Sequence, residues 1–404
     1  MPRASKLTFA ALCAGHFVND TYSSVIYPLL PLLKDNLHLT TSQVFWLAPL
    51  YAISSSLMQP VYGFISDRYA RRFFAVFGPA ITGVFVSMIG LSPSYAVLIL
   101  LLIGGGVGIG SFHPQGAAMA AAASTERKRI GMAVFSASGT MGFALGPIAI
   151  ALIYEAFGLG RTYYIVVMGL VMSAVLYKIC PPLPAPQKAV DGAAQVKWQL
   201  MAALGAAWKP LLLLYLITVL RSGLQMTTNN YLPFLLKERG YDVTGTGGVI
   251  TAFLLLGGVG GLAGGLMAER ISGRAVTLYS GLFAGPLMVA AFLTSGPLSI
   301  VLLALGGFML LSTLPVNVAM AQELVPGQTS TVSALMMGAA WGVGALAPPA
   351  LDRVATNYGF ATVLVFASAS TLVSAGLAYF LPREERSRPK EIEVEAATAA
   401  VAGD

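Results

Sequence analysis

Charge is scarce in this chain. Of 404 residues only 10% are Asp, Glu, Lys or Arg, and 56% are hydrophobic, with a mean hydropathy of +0.75. A soluble domain carries about 25% charge. The shortfall excludes a soluble fold, because the surplus apolar surface has to face lipid. Cysteine is nearly absent. Cys13 and Cys180 have no metal-ligand or dithiol spacing, and each falls in or beside an apolar run, where a free thiol packs as a small hydrophobe. No paired carboxylates, His-Glu-x-x-His or serine-nucleophile motif lies at membrane depth, so an enzyme is not expected. No Gly-x-x-x-x-Gly-Lys-Ser/Thr sequence is present, which argues against ATP-driven pumping. The chain implies neither a cofactor nor a metal. The net charge of +7 does not suggest nucleic acid, since the basic residues sit in short clusters between apolar runs and not on one face. No cleavable leader is evident. The first apolar run starts near Leu7, is too long for one and contains Asp20, so it reads as a retained span.

What is there is a series of apolar segments, each near the ~20 residues that cross a bilayer. Breaking the chain at charges, prolines and turn clusters gives twelve. Six lie near 7–33, 43–65, 73–92, 95–119, 130–155 and 161–180. Six more lie near 209–236, 246–268, 275–294, 297–321, 330–351 and 359–381. The predicted fold is an all-α polytopic membrane protein of two six-helix bundles, residues 1–181 and 209–382. Between them, 182–208 is a linker opening on Pro182, Pro184 and Pro186. Its segment from Lys197 to Lys209 reads as an amphipathic helix in the membrane interface. Residues 383–404 read as a disordered tail.

An even number of spans puts both termini on one side. The other side holds Lys34, Arg161, Lys237, Arg239 and Arg353, and Arg221 lies within a span. The remaining 18 basic residues fall on the terminus side, which the positive-inside rule makes cytoplasmic. The halves repeat. At an offset of 201 residues Pro114 matches Pro315, Met119-Ala120 matches Met320-Ala321, Pro147 matches Pro348 and Gly158 matches Gly359. At 202, Asp67-Arg68 matches Glu269-Arg270 and Pro31 matches Pro233. Duplicated six-span units form substrate sites where the repeats meet, near the midplane.

Asp20 is the one carboxylate deep inside an apolar segment. A charge there costs roughly 2.5–3.5 kcal/mol on insertion scales and faces a bundle interior or a wet cavity, often to move ions or substrate. His16 precedes it by four residues, on the same helical face. Arg221 sits at a similar depth in span 7, so the two charges are expected to face each other across a central cavity. Asn19, Tyr22 and Gln59 add polar groups from spans 1 and 2, and His113 and Gln115 add them from span 4. Gln225, Asn229 and Asn317 contribute from the second half. Few polar groups in an apolar cavity suit an amphipathic organic ligand, and Arg221 suits a phosphonate or carboxylate. Glu155, Arg161, Asp352 and Arg353 fall near the outer ends. Gly104-Gly105-Gly106-Val107-Gly108-Ile109-Gly110 lies inside a span and reads as helix packing, not as a dinucleotide fingerprint.

Between spans 2 and 3 stands Gly63-Phe64-Ile65-Ser66-Asp67-Arg68-Tyr69-Ala70-Arg71-Arg72. Between spans 8 and 9 stands Gly265-Leu266-Met267-Ala268-Glu269-Arg270-Ile271-Ser272-Gly273-Arg274. The paired loops resemble the signature loop of the major facilitator superfamily, with Ala70 in place of a usual glycine. Gly63 is expected to allow close helix approach, and Gly63, Asp67, Arg68, Arg71, Arg72, Gly142, Gly146, Pro147, Gly265, Glu269, Arg270 and Arg274 to take part in conformational gating. Gly139-Thr140-Met141-Gly142-Phe143-Ala144-Leu145-Gly146-Pro147 resembles the superfamily's antiporter motif, with Gly142, Gly146 and Pro147 as its core, although Ile150 and Ala151 replace the trailing glycines. Gly15-His16-Phe17-Val18-Asn19-Asp20, Gln59-Pro60 and Phe112-His113-Pro114-Gln115-Gly116 resemble the fosmidomycin-resistance branch, whose pattern often has Glu where Gln115 stands.

The resemblance implies a bacterial inner-membrane transporter that exports a small drug-like compound in exchange for protons. Asp20 would carry the proton, since Gln115 cannot titrate. The implied partners are substrate, protons and the lipid bilayer, with the chain acting as a monomer. Uptake or uniport of an organic anion or lipid-like solute is an alternative. A non-transporting receptor or scaffold is another, of a different class.

Overall fold

A computed structural model of the chain describes residues 3–65, 72–124, 128–181, 205, 207–325 and 332–382. Asp67, Arg68 and Arg71, most of the linker and the tail lie outside the described residues. Ten helical stretches between Phe73 and Tyr379 are long and apolar enough to cross a membrane. Spans 1 and 2 complete the twelve in broken form. Span 1 runs Arg3–Ser24 and Ile26–Asn36 around Val25. Span 2 runs Thr41–Ala52, a π-helical turn Ile53–Leu57, and Gln59–Ile65. Span 7 begins at Trp208, so Trp208 and Lys209 open a membrane helix and do not end an interfacial one.

The repeat is visible in local geometry. Gly158 and Gly359 take φ of 80° and 84° at the turns leading into spans 6 and 12, a region that favours glycine. Arg72 donates to Cys180 O at 2.6 Å and lies over the Tyr177 ring. Its equivalent at offset 202, Arg274, donates to Tyr379 O at 2.5 Å and lies over that ring. Each arginine thus satisfies the carbonyls left open where the last helix of its half ends. Several repeat pairs have diverged: spans 1 and 2 are broken where spans 7 and 8 are continuous, and span 5 is continuous where span 11 is broken. Span 4 is continuous from Tyr95 to Ala123, whereas span 10 is Gly296–Leu311 and Leu314–Leu324, interrupted at Ser312 and Thr313 just before Pro315.

On the side away from the termini the two halves share one buried core. It draws Tyr22, Leu29 and Phe45 from the first half and Tyr231, Phe253 and Leu364 from the second. Phe45 of span 2 is wedged among Tyr231 and Phe234, with ring centroids 4.0 and 5.5 Å away. Span 5 packs on span 8 and span 2 on span 11. Asp35 and Lys237 pair at 2.5 Å across this interface, and Thr244 donates to Glu155. On the terminus side there are two separate cores. One is around Leu12, Phe112, Phe135 and Leu176, and the other around Leu214, Val276, Met320 and Met336. Among the described residues the halves share a core on one side and have separate cores on the other. Large apolar side chains such as Leu100, Leu293 and Phe366 are more than half exposed, as lipid-facing residues are.

Candidate functional site

Asp20 and Arg221 both sit at the level where the shared core divides, between Leu12 and Val25 in span 1 and between Ile217 and Leu224 in span 7. The depth agrees with expectation and the pairing does not. Among the described residues no ion pair joins them; each turns into its own half.

In the first half Asp20 is held by two histidines. His16 Nε2 lies 3.2 Å from Oδ2 and His113 Nε2 lies 3.1 Å from Oδ1. His16 Nδ1 is 2.7 Å from Phe135 O, and its ring stacks on Phe135 at 4.2 Å. His113 Nδ1 is 2.7 Å from Ile109 O. A carbonyl oxygen has no hydrogen to give, so both Nδ1 atoms carry one and both Nε2 atoms aim at the carboxylate. A neutral ring would present a lone pair there. Two electron-rich atoms at this separation repel unless a proton lies between them. Oδ1 is buried and receives no aligned hydrogen bond. The side chains of His113 and Asp20 are 26% and 15% exposed, so the site is reachable. The three residues also offer ligand atoms within 4.8 Å of one another, of types that divalent transition ions accept.

Space for the triad comes from Gly139. A Cβ there would overlap His16 Nε2 and lie 2.7 Å from Asp20 Oδ2. Gly142 and Gly146 continue the same ridge, where a Cβ would overlap Phe17 O and Thr21 O. This is close backbone packing of span 5 on span 1. On the other side of span 5, Ile148 N donates to Thr251 Oγ1 of span 8 at 3.2 Å, and Gly247 approaches Pro147 O. Gly139 and Phe135 are the site residues that sequence reasoning missed. The glycine spacing of span 5 was the available signal. Gly63 does not behave as expected. Among the described residues a Cβ at Gly63 would meet nothing closer than Pro114 at 3.7 Å, and one at Gly265 nothing within 4 Å, so no neighbour packs closely on either. Glu269 and Arg270 are exposed at the end of span 8.

Several residues expected to line the cavity brace helices instead. The Tyr22 hydroxyl donates to Ile165 O at 2.5 Å and accepts from Gly169 N, tying span 1 to span 6. Asn19 accepts from Thr82 at 2.9 Å and reaches Ile109 O at 3.5 Å. Gln115 accepts from Ala75 N at 2.7 Å, in the first turn of span 3, as a helix cap does. Its equivalent Asn317 accepts from Thr277 at 3.0 Å, and Thr277 stands 202 residues after Ala75. Asn229 is fully buried in span 7, and Gln59 is partly exposed after the break in span 2.

In the second half Arg221 is 5% exposed. It donates to Leu310 O at 3.1 Å, to Thr313 Oγ1 and to Ser280 Oγ at 2.7 Å. The break in span 10 leaves carbonyls near Leu310 without helical partners, and the guanidinium takes one of them. Arg221, Ser222, Gln225, Asn317 and Trp341 line a small cavity of about 20 Å³, room for about one water.

Two bundles, helices broken at mid-membrane and a His–Asp–His cluster where one core divides into two define a helical membrane transporter. The sequence matches the Major Facilitator Superfamily over residues 12–297 and 214–403, and the chain belongs to that family. It is 28% identical to the uncharacterized MFS-type transporter YfnC of Bacillus subtilis, over 92% of each chain. It is 27% identical to the fosmidomycin resistance protein of Escherichia coli, over 94% of each. The fold superposes with a TM-score of 0.78 on a bacterial homologue of the human lysosomal transporter Spinster in an inward-facing, unoccupied conformation. That match has 16% identity and covers 94% of this chain and 97% of the other.

Proposed function

We propose that this protein is a secondary transporter of the bacterial cytoplasmic membrane, with both termini cytoplasmic, that exports a small organic compound in exchange for protons. The observation that carries the reading is the His16–Asp20–His113 triad. With a proton in each nitrogen–oxygen contact the cluster has a net charge of +1; with one fewer it is neutral and one contact becomes repulsive. Releasing a proton therefore changes both the charge and the packing between spans 1 and 4. The triad lies against Gly139 of span 5, the helix that also contacts the other half through Thr251, so the change has a mechanical route to the interface. The side away from the termini is closed and the terminus side divided, as in an inward-facing state. Rocking the halves would close the second and open the first. The monomer carries both halves, and the lipid bilayer and protons are its partners. Export is favoured over uptake by the family's resistance-named relative.

The test is proton flux in sealed vesicles holding a pH gradient, with full-length wild type beside Asp20→Asn and His113→Gln. Fosmidomycin is expected to trigger proton movement in wild type, with a loss of at least about 100-fold in Asp20→Asn, in line with losing an essential proton carrier. Unchanged flux in that variant would recast the triad as a structural brace.

A further inference from the structure

We propose that His16, Asp20 and His113 form a binding site for one divalent transition-metal ion of the zinc or copper type. Both rings are already set as metal ligands are. Each Nδ1 gives its hydrogen to a backbone carbonyl, Phe135 O or Ile109 O, at 2.7 Å. That bond fixes the tautomer in which Nε2 offers a lone pair. The two Nε2 atoms lie 3.2 and 3.1 Å from the two oxygens of Asp20, and the three residues' donors fall within 4.8 Å of one another. Ligands about 2.0–2.2 Å from a tetrahedral ion stand about 3.3–3.6 Å apart, so small shifts place all three donors around one ion. Two imidazoles and a carboxylate suit zinc, copper, cobalt or nickel, and leave a position open for water. Part of the surface of Asp20 and His113 is exposed, which gives the ion a way in.

Charge points the same way. No lysine or arginine pairs with Asp20 among the described residues. Two neutral rings would leave the carboxylate uncompensated at membrane depth, which is costly. A doubly charged ion bound to two neutral rings and the carboxylate gives a net charge of +1, the same as two protons in the two contacts. As one ion enters, two protons leave, and the charge held there does not change. The frame itself does not ask for these donors. At the offset of 202 residues the counterparts are Thr218, Ser222 and Pro315. Thr218 donates to Leu214 O of its own helix and Ser222 to Ala340 O, so the second half packs these positions without ligand side chains. Two of the chain's three histidines are in the triad, and the third, His38, is exposed. Gly139 keeps free the space beside His16 and Asp20 that any side chain would fill. An ion here takes the lone pairs that hold protons in the exchange reading, so each excludes the other; only this consequence rests on that reading.

The experiment is equilibrium metal binding in detergent, on full-length protein without a polyhistidine tag, and it needs neither vesicle nor gradient. Co(II) is titrated while its visible absorption is followed, and Zn(II) is then added to displace it. Saturation at one ion per chain is expected, with release by Zn(II) and none by excess Mg(II), which prefers oxygen ligands. Asp20→Asn and His113→Gln should each weaken binding by at least about 100-fold, since even the outer partners of a metal site are worth roughly 10–100-fold. His38→Gln should bind as wild type. The proposal is overturned if either triad variant, melting as wild type, binds the ion unchanged. Should both fail to fold, His38→Gln decides, because its only imidazoles are those of the triad. Its Cu(II) complex should show two coupled ring nitrogens by electron paramagnetic resonance. One nitrogen or none overturns the proposal, as does the absence of saturable Co(II) uptake by wild type. Metal binding with no proton movement in the vesicle assay would sink the antiport reading and leave this one standing. Proton movement without metal binding would do the reverse.

Discussion

Spans 1 and 7 are the same helix twice, and the comparison of their central turns is instructive. Asn19-Asp20 occupies the first slot and Arg221-Ser222 the second. Asn19 and Arg221 turn the same way, towards the third and fourth helices of their own halves. Their neighbours diverge. Asp20 meets His113 and a glycine ridge, whereas Ser222 donates to Ala340 O at 3.2 Å, into the backbone of span 11. One duplicated frame thus holds a carboxylate between two histidines on one side and a buried cation on the other. The frame fixes where a side chain points, and single substitutions within it assign the chemistry.

The sharpest way to break this comparison is at Gly139. Its Cβ has no room beside His16 and Asp20, so Gly139→Ala should cut transport in vesicles by about 100-fold, as misplacing a reacting group does. Gly265→Ala, with open space around it, should stay within about twofold on the same grounds. Wild-type transport in Gly139→Ala would show that the triad geometry is not needed. Next come the two equivalent slots. Asn19→Ala should lower thermal stability by about 1–2 kcal/mol through a lost buried hydrogen bond. Arg221→Ala should lower it further, because three buried hydrogen bonds are lost. Equal melting losses in both would show that the extra contacts of Arg221 add nothing to stability.

Smaller effects are expected at the helix caps. Gln115→Ala should cost about 1 kcal/mol, the usual cap penalty. Gln115→Glu should keep transport within about threefold, because a carboxylate also accepts from the first turn of span 3. The smallest is the outer pair. Asp35→Lys should shift the closed side by up to about 1 kcal/mol, the range of exposed ion pairs. Adding Lys237→Asp should restore it, as read by thiol accessibility of a cysteine placed on that side.

Much of this was legible in the sequence because apolar runs near bilayer length and a repeat at almost one offset leave few alternatives. The depth of Asp20 and Arg221 and the i, i+4 contact of His16 with Asp20 follow from helix geometry alone. The pairing of Asp20 with His113 instead of Arg221 does not. It depends on how span 1 is rotated against spans 4 and 5, which the packing of Gly139, Gly142 and Gly146 decides. Gly63 differs from expectation for a related reason: a glycine shows that close approach is permitted, not that a neighbour uses it. Tyr22, Asn19 and Gln115 are polar residues at the right depth on faces turned to other helices, and a linear reading has no measure of that turn.

The ion pair between Asp35 and Lys237 joins residues separated by 202 positions, the repeat offset itself. Each is therefore the other's counterpart. If two unfused identical halves associated in this way, that position would meet its own copy, acid against acid or base against base, and would repel. Joining the halves in one polypeptide lets the two copies drift apart in sequence, so that a contact which symmetry would forbid becomes a clasp.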